Sequence, residues 1–169
     1  MTIPMDHGAV RVTLPSGQRR IYHVDPEHHR VVVTDAGTGA ILFAFGRRGS
    51  TLGAFDVPVD IALVAPSFQE ETAAHGVEEY CLAVADYGNA RVQLFDLDGT
   101  LIDVLTGTDL DYGWRPCRLT WRAPFLQVDG VERTGCRVHL AAAMLAHAGG
   151  HLAGSAALER SRGLGEARH

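Results

Sequence analysis

Short runs rich in β-branched and apolar residues punctuate the first 140 residues of this chain, most of them stopping at a carboxylate or a glycine. RRIYHVD (19–25), EEYCLAVAD (78–86) and PFLQVD (124–129) form one set; RVVVTD, RVQLFD and CRVHLA form a second. A further run, ILFAFG or LIDVLTG, is clear only twice. Runs of this kind suit buried strands. Each group follows a proline-bearing opening: TIPMD around Pro4, DVPVDIALVAP (56–66) and WRPCRLTWRAP (114–124). Proline fits the first residue of a strand, where its missing N–H costs least. The turns AGTG (36–39) and LDGT (97–100) join third runs to fourth runs. The pattern therefore predicts an all-β chain built from units of four short strands.

The units repeat. DPEHHRVVVTDAGTGAILFAFG (25–46) lies without a gap over DYGNARVQLFDLDGTLIDVLTG (86–107), and Asp25, Arg30, Val31, Asp35, Ile41 and Gly46 meet Asp86, Arg91, Val92, Asp96, Ile102 and Gly107. These identities fall at strand starts, strand ends and turns. The second and third openings share both prolines at an offset of 58. Four-stranded units of about 40–45 residues are what propeller blades require, each burying a face against its neighbours. The longer spacing here comes from insertions, chiefly the acidic loop PSFQEETAAHGVEE (66–79), which carries Glu70, Glu71, Glu78 and Glu79. Surface insertions are thermodynamically cheap.

Composition narrows the picture. The 169 residues are 46% hydrophobic and 21% charged, which suits one compact domain. No secretory signal or membrane-length apolar stretch is present, so the expected compartment is the cytoplasm. Cys81, Cys117 and Cys136 show no CxxC pairing and are expected as free thiols. All 15 cations are arginine, and a net charge of −5 weighs against nucleic acid or an anionic membrane as partner. RNA would need Arg19, Arg20, Arg47, Arg48, Arg115, Arg118 and Arg122 to share one face, and the strand pattern scatters them. Residues 141–169 are dominated by Ala, Gly and His and are expected to be a partly helical or disordered tail.

VADYGNARVQLFDLDG (84–99) and FGRRGSTLGAFDVP (45–58) resemble the core and the trailing segment of the NHL repeat family. The first unit, HVDPEHHRVVVTD, has His28 where that family usually has Asn, and the third unit is degenerate. The resemblance implies a β-propeller, commonly six-bladed, that acts as a platform for protein or RNA ligands; some relatives are lyases. Residues 1–140 would then be a partial propeller of about three blades (4–57, 58–115 and 116–140), half of a six-bladed ring. A row of three leaves blade faces open at both ends, so the expected outcomes are a homodimer completing a six-bladed ring, a capped arc, or an inactive half-propeller remnant.

Several residues invite chemistry. LFDLDGTLID (94–103) is similar to the first motif of haloacid-dehalogenase-type phosphatases, in which Asp96 and Asp98 would be nucleophile and general acid. Its weakened recurrence in the first unit favours a hairpin with a DG turn instead. Asp25 with Arg30, and Asp86 with Arg91, are expected to lock turns within blades. The nine histidines show no metal-binding spacing. His23 and His139 lie on predicted strands where an amidating-lyase-like propeller would place metal ligands, but no catalytic residue, metal or cofactor is expected.

The better surface is a rim. In a propeller, the loops between second and third strands share one rim with the loops between blades. That places Glu27, His28, His29, Arg47, Arg48, Tyr87, Asn89, Tyr112, Trp114 and Arg115 together, and Arg with Tyr and Trp is the composition of interface hot spots. The expected function is a non-enzymatic binding or scaffold module that engages a protein partner through these loops. The alternatives are a metal-dependent lyase or hydrolase and the inactive remnant.

Overall fold

The computed structural model describes residues 8–65, 80–106, 115–123, 125–131 and 136–139, and every regular element among them is a β-strand. β1 (Ala9–Thr13), β2 (Arg19–Asp25), β3 (Arg30–Asp35) and β4 (Ile41–Phe45) form the first sheet. The second comprises β5 (Pro58–Val64), β6 (Cys81–Asp86), β7 (Arg91–Phe95) and β8 (Leu101–Leu105). β9 (Pro116–Arg122), β10 (Phe125–Gly130) and β11 (Cys136–His139) form the third, which thus has three strands among the described residues rather than the four of a complete unit. All pairings are antiparallel and join strands adjacent in sequence, so each sheet is a simple meander. The acidic loop, Tyr112, Trp114 and the tail from residue 141 lie outside the described residues. No helix among the described residues is long and apolar enough to cross a membrane.

The repeat extends to backbone detail. The β2–β3 and β6–β7 turns each place their fourth residue in the left-handed region, His29 at φ 53° and Ala90 at φ 51°. Each turn is closed by a hydrogen bond from that residue's N–H, to Pro26 O and to Tyr87 O. The ladders then slip at equivalent places, between Val33 and Thr34 and between Leu94 and Phe95. In the next turns the carboxylates of Asp35 and Asp96 accept from the N–H two residues on, Gly37 and Asp98, both at 2.9 Å. A second repeated slip follows the proline openings: Pro58 pairs with Asp86 but Asp60 with Ala85, and Pro116 pairs with Gly130 but Arg118 with Asp129. Val59 and Cys117 are the extra residues, and such bulges re-aim the side chains that follow.

Burial explains why the second sheet reads as an unbroken apolar run. It lies between the other two, so β6 and β7 are buried along their whole length. One of its faces packs Ile61, Leu82, Val84, Phe95 and Leu97 against Val12, Tyr22, Val31 and Val33 of the first sheet. The Tyr22 hydroxyl donates to Leu97 O at 2.8 Å, so its burial leaves no polar atom stranded. The other face is built from smaller residues, Ala62, Cys81, Ala83 and Ala85, with Leu94 and Leu105, and meets Leu119, Leu126 and Val128 of the third sheet. β5 runs beside β1 and β2 on one side and β9 on the other. There Asp60, only 3% exposed, accepts from Gly8 N at 2.8 Å, Ile61 N at 2.9 Å and Leu119 N at 2.8 Å. One carboxylate thus holds backbone at the entrance to β1, in β5 and in β9.

Candidate functional site

In these meanders the β2–β3 turn, the β6–β7 turn and the β4–β5 linker (46–57) all leave from the same strand ends, and side chains bring them into contact. The organising group is Asp86, which has no exposed surface. Its Oδ2 accepts from Arg91 Nε at 2.7 Å and from Asn89 Nδ2 at 2.9 Å, while Oδ1 accepts from Asp56 N at 2.7 Å. Held in this way, Arg91 turns its remaining donors on the linker: Nη1 to Ser50 O at 3.0 Å, and Nη2 to Thr51 O at 2.9 Å and Ala54 O at 2.7 Å. Asn89 also donates to Gly49 O at 2.9 Å. Gln93 completes the seat, its amide donating to Ala54 O and accepting from Gly53 N, both at 2.8 Å. A guanidinium held flat by a carboxylate is well suited to collecting several carbonyls, because its five donors are fixed in one plane.

The linker is fastened at both margins of that seat. Phe55 is fully buried, its ring centroid 5.5 Å from that of Phe95. Gly46, at φ 94°, is required beneath it, because a Cβ there would collide with the Phe55 ring. Gly88 is required beside Asp56 for a similar reason: a Cβ would run into the Asp56 carboxylate and come within 2.6 Å of its carbonyl oxygen. Instead Gly88 N donates to that oxygen at 2.7 Å.

The first unit carries the same device at the surface. Arg30 Nε donates to Asp25 Oδ2 at 3.0 Å, and His28 Nδ1 lies 2.9 Å from the same oxygen. The side chains of Arg30, Asp25 and His28 are 41%, 21% and 62% exposed, respectively. Partial burial pushes the Asp25 carboxyl up, but hydrogen bonds from His28 and Arg30 outweigh it and hold the group below its ordinary range.

The remaining rim residues fall around these two turns. His29 Nδ1 accepts from Val57 N at 3.0 Å and lies 3.7 Å from Asp56 Oδ1, which ties the first turn to the linker. Arg115 sits over the Tyr87 ring at 5.5 Å and donates to Gly88 O at 3.2 Å, which adds the entrance to β9. Arg47 and Arg48 are exposed on the linker, with Arg48 bridged to Phe55 through the backbone. Tyr112 and Trp114 lie outside the described residues. Arg19 and Arg20 lie at the opposite end of β2, where Arg20 stacks on Phe43 at 5.4 Å and reaches Asp98 at 3.6 Å.

Three participants carry only faint sequence signals. Gln93 is the one polar residue inside the apolar run RVQLF beyond its leading arginine, and a buried amide demands partners. Asp60 stands two residues after a proline in DVPVDIALVAP. Val57 adopts φ 54°, a conformation costly for a β-branched residue, and nothing in its neighbours announces it. Among the described residues, no group of three His, Cys, Asp or Glu side chains converges as metal ligands would. Compared with known proteins, the sequence matches no protein-family model and no curated protein.

Proposed function

We propose that this chain is a non-enzymatic binding module of the NHL-like propeller type: an arc of stacked blades that engages a protein partner through its rim. The stacking of three meander sheets with β5 beside both β1 and β9 supports the blade arrangement. The observation that carries the binding role is the surface gathered around the two turns. His29 and Asn89 reach the linker bearing Arg47 and Arg48, His28 lies on the first turn beside Asp25, and Arg115 packs over Tyr87 of the second turn. A rigid floor under aromatic and arginine groups is what interface anchors require. The free thiols Cys81 and Cys117 fit a reducing compartment, the cytoplasm.

Rim contact is favoured over a second copy stacked on the first sheet. The outer face of that sheet presents His23, Thr34 and Ala36 where the second sheet has Val84, Phe95 and Leu97, which makes it less apolar than the face the second sheet buries. Light scattering checks this: the expected mass is that of one 18.2 kDa chain, and a stable dimer would restore ring completion. The rim itself is tested by cross-linking a partner to the whole chain and comparing Tyr87→Ala/Arg115→Ala with Thr38→Ala, which lies at the other end of the first sheet. Loss of about tenfold or more in partner affinity is expected for the rim pair alone. Equal loss from both variants would refute the rim.

A further inference from the structure

The two turns are copies of one device, and among the described residues only one of them is filled. Asp86, Asn89 and Arg91 close over the carbonyls of Gly49, Ser50, Thr51 and Ala54. Asp25, His28 and Arg30 reproduce the carboxylate, the polar arm and the guanidinium, with the same left-handed fourth residue. Here, however, the terminal nitrogens of Arg30 meet no carbonyl among the described residues, and its side chain is 41% exposed against 9% for Arg91. The outer face of the first sheet, where Val32 is buried and Ile21, His23 and Thr34 are partly exposed, is the counterpart of the face on which the linker rests in the second.

Two substitutions define what the open copy can take. Val32 stands where Gln93 grips Ala54 and Gly53, so one anchoring amide is missing. Glu27 stands where Gly88 lets Asp56 pass, so its side chain occupies the path of an acidic residue at that point. The carbonyl-collecting part of the seat, at Arg30, His28 and Asp25, is untouched by either change.

From this internal comparison we propose that Asp25, His28 and Arg30 form a binding site for a glycine-rich backbone segment of a partner protein, held by its main-chain carbonyls. Such a segment resembles Gly49–Ala54 in shape, and an acidic residue at the position of Asp56 weakens its binding without abolishing it. The inference deepens the rim proposal and rests on it for the partner being a protein.

The probe is the capped peptide FGRRGSTLGAFD, residues 45–56, added to the whole chain. The chain's own linker keeps the Asp86 seat, because a tethered segment competes at an effective concentration of about millimolar. Saturable binding that shifts the Arg30 Nε–H resonance is expected, and Arg30→Gln should weaken it by about tenfold or more. Glu27→Gly supplies the discriminating sign. The capped peptide has a charge of +1, from Arg47, Arg48 and Asp56, so simple attraction to the surface would weaken when Glu27 is removed. The clamp requires the opposite, tighter binding, because the path for Asp56 opens. No saturation below about 1 mM in either the native chain or Glu27→Gly, or binding indifferent to Arg30→Gln, overturns the proposal. Failure of the peptide leaves the rim proposal standing, since that is tested separately at Tyr87 and Arg115.

Discussion

The first and second sheets are written in the same letters and live in different surroundings. Both carry the Asp-to-Arg turn, the left-handed fourth residue and the slipped ladder. In the second sheet, Asp86 and Arg91 are sealed beneath the linker, and Leu82, Val84, Phe95 and Leu97 bury one face. In the first, the matching positions are Ile21, His23, Thr34 and Ala36, all partly exposed. Local geometry follows from the repeated residues, whereas the energy stored in that geometry follows from what covers it.

The two turns differ most at their arginines. Arg91→Ala strands a fully buried carboxylate and several linker carbonyls, and should cost about 3–5 kcal/mol. Arg30→Ala removes a half-exposed pair and should cost about 1 kcal/mol or less. Urea unfolding of the two variants measures the gap; equal midpoints would mean that the linker does not seal the second turn.

Exchanging the residues that distinguish the buried face from the exposed one comes next. Phe95→Thr removes a ring in contact with Phe45 and Phe55 and should cost about 3 kcal/mol. Thr34→Phe, the reverse change on the first sheet, should alter stability by about 0.5 kcal/mol or less. Thermal unfolding separates them, and a large loss from Thr34→Phe would show that the outer face is covered.

Glycines sharpen the contrast between filled and open space. Gly46→Ala combines φ 94° with a collision against Phe55, whereas Gly39→Ala faces φ 74° alone, with nothing near its Cβ. Losses of about 3 and about 1 kcal/mol are expected in calorimetry. The smallest effect concerns His23. Burial pushes its imidazole below the ordinary 6.5, against the pull of Asp25 and with the help of Arg30. The folded state therefore favours the neutral ring. Its contribution is present above pH 6.5 and is lost as pH falls through the lowered folded value. His23→Val, which installs the residue of the second sheet, should flatten that part of the stability profile.

Much of this organisation can be read from the chain. The offset between Asp25 and Asp86 predicts equivalent turns because a carboxylate followed by an arginine five residues later has few other ways to satisfy both groups. The proline openings mark strand starts, and the DG turn after Asp96 reads as a hairpin. The seat for the linker is not legible, because it is assembled from residues 37–41 positions apart, and nothing near Gln93 says that Gly53 and Ala54 will lie over it. Nor does RVVVTD reveal that its central valine will lack the company that Gln93 has. Pairing partners across sheets depend on how meanders stack, and that information is spread over the whole sequence.

Asp60 gives the stacking a consequence in time. Its carboxylate is satisfied only when Gly8, Ile61 and Leu119 have all arrived, so an assembly lacking either outer sheet leaves charge without its donors in a closing interior. The middle sheet cannot settle with one neighbour and wait for the other at no cost. Amide exchange at Gly8 and Leu119 should accordingly slow and quicken together, making the three meanders a single cooperative unit rather than three beads on a string.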